Sequence, residues 1–291
     1  MKPAQFDYMA PTSVGEALSA LASATDPDDL KVLAGGQSLM PMLNLRLAQP
    51  MTLLDINGLH GAWGSIELGT GCMQVGALVR QRAAERSPVV AEHCPLLAEA
   101  LPHVAHVQIR NRGTVGGSIA HADPSAELPA VALALDAQLQ VIGPQGERQV
   151  AASEFFRGFL TTDLAADEML SRIDFPRLAP GTGTCFLEVS RRRGDFALVA
   201  AAAVLTVRDG LIVAARLAFA GVASGPVLSS EAESTLIGAE PSPQVLDAAA
   251  HSAAEALSPP ADVHGSANYR RHLARVLARS ALTTAWERIV G

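Results

Sequence analysis

The stretch from residue 109 to 129, I-R-N-R-G-T-V-G-G-S-I-A-H-A-D-P-S-A-E-L-P, limits what this chain can fold into more than any other. An arginine-rich approach runs into the pair Gly116-Gly117, and an Asp123-Pro124 step follows. A counterpart lies at 31–39, K-V-L-A-G-G-Q-S-L, where apolar residues again lead into a glycine pair and small polar side chains. Glycine has no Cβ, so such pairs reach positive φ and let a ligand approach the main chain closely. A nest of N–H groups then holds an anion without lysine. Either pair alone reads as a tight turn; two of them, far apart in sequence, point to a bound phosphate.

At 291 residues the chain makes one large domain or two to three smaller ones. Hydrophobic residues are 49% and charged residues 18%, values of a folded globular protein. There is no long apolar run and no signal-peptide pattern at the start, so neither a membrane span nor secretion is expected, and the expected location is cytoplasmic. The formal net charge is -7 and the lysines are Lys2 and Lys31, which excludes a broad basic field for nucleic acid. An anion must therefore be held locally, by backbone N–H groups or a few arginines. Cys72, Cys94 and Cys185 are scattered and lack CxxC spacing, against a disulfide framework, a zinc site or an iron–sulfur cluster in this chain.

Ser13-Val14-Gly15-Glu16 reads as a capping box opening a helix over 13–24, with Ala17, Leu18 and Leu21 on its apolar face. Asp26-Pro27-Asp28-Asp29 is a turn, 30–34 a strand entering the first glycine pair, 39–47 a short helix beneath that loop, and 53–56 another strand. Two short strands within 65–76 turn at Gly69-Thr70-Gly71. Helical patterns occupy 78–86 and 89–101, the second broken by Pro95 and stopped by Pro102. Beyond the glycine motif, 126–135 is helical, 138–142 and 148–151 form a hairpin, and 169–175 is a strand. The proline- and glycine-rich 176–184 reads as a linker, and the texture also changes at 57–64, dividing the chain into 1–57, 58–176 and 177–291. In the last part, 198–207 and 211–220 flank Arg208-Asp209-Gly210 as a hairpin, and Ser242-Pro243 caps a helix. A long helix over 267–290 turns Leu273, Val276, Leu277 and Ala281 to one side.

Neither glycine loop is G-x-G-x-x-G and no glycine precedes a lysine, so the Rossmann fingerprint and the Walker A loop are both absent. The order A-G-G-Q-S-L at 34–39, I-R-N-R-G-T-V-G-G-S at 109–118, A-D-P-S-A-E-L-P at 122–129 and S-R-R-R-G-D-F-A at 190–197 resembles the FAD-binding medium subunit of the molybdenum hydroxylases, the family of xanthine dehydrogenase and aerobic carbon monoxide dehydrogenase. The resemblance covers essentially the whole chain. It implies an α+β fold: a two-part FAD-binding domain of the PCMH (vanillyl-alcohol-oxidase-like) type, then a C-terminal domain of antiparallel sheet and helices.

It also implies a cofactor site. Lys31, Val32, Leu33, Ala34, Gly35, Gly36, Gln37, Ser38 and Leu39 wrap the FAD diphosphate and part of the adenosine. Thr114, Gly116, Gly117 and Ser118 form a second wall, with Val104, Ile109 and Ala122 beside it. Asp123 and Glu127 accept from ribityl or ribose hydroxyls, and Met169 and Leu170 touch the adenine or flavin side. Three positions depart from the family pattern: Glu127 replaces the usual aspartate, Ser118 a frequent asparagine, and Leu187 the lysine of animal-type xanthine dehydrogenases. The cysteine-rich insertion of the benzoyl-CoA reductase branch is absent.

Other residues carry two readings each. Arg191-Arg192-Arg193 either meets a partner or the flavin, or is a solvated turn. His93, His103, His106 and His121 match no metal-ligand spacing, and capping or surface roles fit them better. Arg110 and Arg112 support the second loop more than they touch a ligand. The resulting expectation is an electron-transfer flavoprotein subunit with no catalytic constellation of its own. Its partners are a large molybdopterin subunit and a small subunit with two 2Fe–2S clusters, in a dimer of heterotrimers. A stand-alone FAD reductase related to the cell-wall precursor type and a flavin-free assembly module are the alternatives.

Overall fold

In the computed structural model, which describes residues 2–26 and 28–290, the first segment runs β1 (Asp7–Met9), α1 (Val14–Ser23), β2 (Leu30–Leu33), α2 (Leu39–Asn44) and β3 (Thr52–Asp55). β3 is the centre of a parallel sheet ordered β1-β3-β2. Parallel neighbours need crossovers, and the helical segments supply them. Ser13 caps α1 by accepting from the Glu16 N–H at 3.2 Å. The Glu16 carboxylate reaches one residue further back than a capping box requires, accepting from the Thr12 N–H at 2.8 Å and the Thr12 hydroxyl at 3.0 Å. Pro27, in the turn expected at 26–29, lies outside the described residues. α2 stops at Asn44, short of the expected 47, and Arg46 takes φ 58°.

The second segment comprises α3 (His60–Trp63), β4 (Ile66–Leu68), β5 (Cys72–Gly76), α4 (Gln81–Glu85), α5 (Pro88–His93), α6 (Pro95–Ala100), α7 (Val107–Arg110), α8 (Val115–His121), α9 (Glu127–Ala134), β6 (Gln138–Gly143), β7 (Gly146–Ala151), α10 (Ala152–Phe155), β8 (Phe156–Gly158), β9 (Thr161–Thr162) and β10 (Met169–Pro176). Its antiparallel sheet is ordered β4-β5-β10-β6-β7, and α8 lies against β5 and β10. Pro95 opens α6 at a position whose N–H needs no partner. The α-helix ends at Ala100, just ahead of Pro102, which sits in the first turn of a 3-10 helix, Leu101–His103.

The third segment is β11 (Thr182–Ser190), β12 (Ala197–Arg208), β13 (Leu211–Ala220), β14 (Val227–Leu228), α11 (Ser230–Leu236), α12 (Pro243–Ala256) and α13 (Ala267–Val290). Of the stretch expected as linker, residues 177–181 lie outside strands, since β11 begins at Thr182. Asp209 and Gly210, both at positive φ, make the two-residue turn between β12 and β13. β12 explains the alanine richness here. Ala200, Ala202 and Val204 join the core of the second segment, while Val199, Ala201, Ala203 and Leu205 join the core under α12 and α13. Successive side chains of a strand point to opposite faces, so both faces of β12 are roofed, and small side chains let the layers close.

α13 buries Arg270, Ala274, Leu277, Ala278, Ala281, Leu282 and Ala285. Val276, expected inward, is 38% exposed because it stands about 100° round the helix from Leu277. Among the described residues no helix is long and apolar enough to cross a membrane. Buried Arg270 donates to the carbonyls of Leu198 at 2.6 Å and Gly221 at 3.2 Å, and to Asp262 at 2.7 Å, tying α13 to the sheet. We predict that Arg270→Ala, by leaving those two carbonyls without a donor, lowers unfolding free energy by about 2 kcal/mol or more. Denaturant unfolding of the full chain measures it, and a change within error overturns the assignment.

Candidate functional site

β2 delivers the first glycine loop and α7 the second, and the two loops touch. A Cβ on Gly35 would lie 2.6 Å from the Arg112 carbonyl oxygen and 2.7 Å from the Gly113 Cα, so no other residue fits there. A Cβ on Gly117 would lie 3.9 Å from the Ala34 Cβ. Side chains brace the junction. Asn57 donates to the Ala34 carbonyl at 2.9 Å and accepts from Arg80 at 2.6 Å, and Arg80 in turn donates to the Arg112 carbonyl. Asp55 holds Asn57 through its N–H at 2.9 Å and its amide at 2.5 Å, and accepts from the Tyr8 hydroxyl at 2.6 Å. Burial pushes the Asp55 carboxyl up, but Tyr8, Asn57 and the Arg112 charge together hold it below the usual range. Neither Asn57 nor Arg80 was legible as a site residue, because each acts through one partner far away in sequence with no periodic signal.

The loops divide their hydrogen-bonding capacity unequally. In the first, the Ala34 and Gly35 carbonyls accept from the Asn57 and Gln37 side chains, and Gly36 takes φ 71°. The N–H groups of Gly36, Gln37, Ser38 and Leu39 have no acceptor among the described residues. Four successive donors at the start of α2 form a cradle for an anion with two phosphates. In the second loop the donors are used internally: Val115 donates to Val79 at 2.9 Å, Gly116 to Ala77 at 3.0 Å, and Ser118 to Thr114 at 3.2 Å. Thr114, the N-cap of α8, accepts from Gly117 at 3.0 Å through its hydroxyl. The glycines there serve close packing, and the loop is a rigid wall. With free donors on one loop and a fixed wall on the other, the residues fit a dinucleotide diphosphate.

The remaining expected residues are distributed as follows. Lys31 turns away to Asp28 at 2.8 Å. Val32 and Ala34 pack on the core of the first segment, which Met169 of β10 joins, while Leu170 belongs to the second core. Leu33 lies beneath Gly36. The Ile109 carbonyl accepts from Arg112 and Gly113 and so shapes the second loop. Buried Arg110 pairs with Glu85 at 2.8 Å and donates to the Val104 carbonyl at 2.7 Å and the Ala105 carbonyl at 2.9 Å, a supporting role. Ala122 ends α8 at φ 51°, and Asp123 accepts from the Ser125 N–H at 2.8 Å. Arg191 to Arg193 are exposed, with Arg191 against His264 at 3.0 Å. His103 lies against Phe186 with the rings tilted by 59°, and no group of histidine, cysteine or carboxylate side chains suits a metal among the described residues.

Glu127, like Asp123, is expected to accept from a ribityl or ribose hydroxyl. It is buried on the first turn of α9 and faces Glu188 of β11. Burial and then the Glu188 charge push its carboxyl up to about 8. Burial likewise raises Glu188 to about 7. Both shifts favour the protonated form.

Residues 4–178 match the family described as the FAD binding domain in molybdopterin dehydrogenase, and residues 184–285 match the CO dehydrogenase flavoprotein C-terminal domain. The alpha subunit of the 6-hydroxypseudooxynicotine dehydrogenase complex of Paenarthrobacter nicotinovorans is 40% identical over 289 residues, covering 99% of this chain and 97% of that one. Carbon monoxide dehydrogenase from Hydrogenophaga pseudoflava, solved without the Mo-pyranopterin moiety of its molybdenum cofactor, superposes with a TM-score of 0.95 at 38% identity and covers 99% of both chains. Quinoline 2-oxidoreductase from Pseudomonas putida 86 superposes with a TM-score of 0.93 at 38% identity over 100% of both chains.

The raised carboxyls set a sign for stability against pH. A folded-state pKa above the unfolded value contributes stability that is complete below the unfolded value and is lost as pH rises through the folded one. We predict that the thermal midpoint of the full chain falls as pH rises from about 5 to about 8, and that Glu127→Gln flattens this fall. Circular dichroism melts test it; identical slopes would sink the assignment.

Proposed function

The chain belongs to the family of FAD-binding medium subunits of the molybdenum hydroxylases, oxidoreductase subunits whose cofactor is FAD, and on that premise we propose that it carries electrons between a partner's iron–sulfur clusters and an external acceptor. The partners are a large molybdopterin subunit, where a small N-heterocycle, an aldehyde or carbon monoxide is oxidised, and a small subunit with two 2Fe–2S clusters. The assembly is a cytoplasmic dimer of such heterotrimers. FAD supplies the redox step and exchanges electrons singly or in pairs. The chain's own residues bind and orient it. Gly36 to Leu39 donate to the diphosphate, Thr114 to Ser118 close the opposite side, and Asp123 accepts from a sugar hydroxyl. We divide the chain functionally into 1–57 and 58–176, which enclose the cofactor, and 177–291, which covers its redox end.

The four free donors of the first loop, held against the second loop by Gly35, carry this reading. That relatives are subunits of named complexes supports the partners. Gly35→Val forces a side chain into the Arg112 carbonyl and parts the loops. We predict that this variant loses at least about nine-tenths of its bound FAD while the C-terminal segment stays folded, since a Cβ under 3 Å from backbone cannot be relieved by a rotamer. Flavin absorbance per chain together with circular dichroism reads it, and full FAD content would overturn the loop assignment. Metal analysis of the complex isolated with its native partners tests the rest: absence of molybdenum and iron overturns the electron route.

A further inference from the structure

The run Arg191-Arg192-Arg193 is the longest stretch of like charge in a chain whose formal net charge is -7. It lies in the loop that joins β11 to β12, where Ser190 pairs with Ala197 and residues 191–196 make the connection. All three arginines are exposed, and among the described residues none forms an ion pair. Asp195, the acid of the same loop, takes none of them, whereas Arg110, Arg148 and Arg270 each sit on a carboxylate. Arg191 donates instead to His264 Nδ1 at 3.0 Å, a contact that supplies no negative charge. Three guanidiniums on one short turn repel one another, and a partner's carboxylates relieve that repulsion.

The turn holds them in a set shape. The Arg192 carbonyl accepts from the Ser190 hydroxyl at 3.0 Å and from the Asp195 N–H at 3.0 Å. Gly194 takes φ 90° and presses on the second segment so closely that a Cβ would stand 2.6 Å from the His106 ring and 2.9 Å from the Ala105 carbonyl oxygen. That carbonyl accepts from Arg110 of α7 at 2.9 Å, and the Ile109 carbonyl of α7 accepts from Gly113 of the second glycine loop at 2.7 Å. The arginines are thus seated, through direct contacts, on the segment that carries one wall of the candidate cofactor site. Within the loop the large exposed apolar side chain is Phe196, at 65%. Permanent subunit contacts are built on apolar area, while free charges around a single aromatic suit a brief, electrostatically steered encounter.

We propose that this loop is the docking surface for the external electron acceptor, and that the acceptor is a small electron-carrier protein with an acidic face. The proposal rests on the FAD reading above. Each carrier takes one electron, so two carriers reoxidise one reduced FAD while two protons leave to water. The arginines take no part in that transfer. They raise the rate at which the carrier arrives and fix its orientation.

Oxidised plastocyanin, an acidic one-electron copper protein, is the probe. Surface plasmon resonance on the full chain without flavin reads docking. Plastocyanin binds at low ionic strength, and the double variant Arg192→Glu, Arg193→Glu weakens binding at least about tenfold. The double variant Arg192→Gln, Arg193→Gln loses less, the order that charge dictates. Stopped-flow reoxidation of the reduced, FAD-loaded full chain reads function. Its rate with plastocyanin falls as salt is added, and falls at least about tenfold in the charge-reversed variant with a flatter salt dependence. Its rate with neutral 1,4-benzoquinone is the same in both chains. A charge-reversed variant that keeps wild-type binding, or that slows equally with the quinone, overturns the proposal, as does binding without electron transfer. Failure of the full chain to take up FAD overturns the cofactor reading and the acceptor role with it, while binding to the flavin-free chain still decides on the surface.

Discussion

The approach of Gly35 to the Arg112–Gly113 backbone is the contact on which the site depends. It brings the end of a parallel strand against the entry to α8. Asn57 and Arg80 then bridge the same junction with directional hydrogen bonds, so the loops are held in both spacing and register. The second loop satisfies its own N–H groups within the fold and becomes rigid. The first is left with donors to give. Because the rigid side backs the donor side, the cradle keeps its shape without a ligand, which reduces the ordering cost of binding.

The seam between the second and third segments has the character of a core. Phe186, Ala197, Ala200, Ala202 and Ala218 pack in one cluster with Leu128, Val131 and Leu139. Polar ties add direction: Arg216 donates to the Leu133 carbonyl at 2.9 Å, Gly221 to the Pro124 carbonyl at 2.8 Å, and the Phe186 N–H to Glu99 at 3.0 Å. A large apolar interface removes the domain motion expected of a loose linker. Such rigidity suits a subunit whose task is to hold a redox group at fixed distances. The same closure buries Glu127 and pushes its carboxyl up.

Much of the fold was legible because it is local. Ser13, Ser242-Pro243 and Asp209-Gly210 act on their immediate neighbours, and each did what its type dictates. The glycine pairs were legible as backbone approaching something closely. What they approach was not: at Gly116 it is Ala77, at Gly35 it is the other loop, and only beyond Gly36 does space remain for a ligand's charge. Side chains that act through one distant partner leave no pattern. Asn57 is 23 residues from Arg80, and Arg80 is 32 from Arg112. Lys31 looked like a phosphate ligand by position but is satisfied by Asp28, three residues away. The Glu188 side chain gave no signal at all, since its significance arises when a second sheet closes over α9.

Holding an anion with main-chain donors has an electrostatic consequence. Backbone N–H groups contribute partial charges that neither titrate nor add net cation to the site. Nearby full charges are fixed across neutral pH: Asp55 is held low, and Arg80, though lowered by burial, starts from the arginine range. In a site built on lysines a single carboxyl would be largely offset by neighbouring cations. Here the cations beside the loops are Arg80 and Arg112, while Arg110 faces Glu127. An acidic chain can therefore bind FAD through main-chain donors without a cluster of lysines.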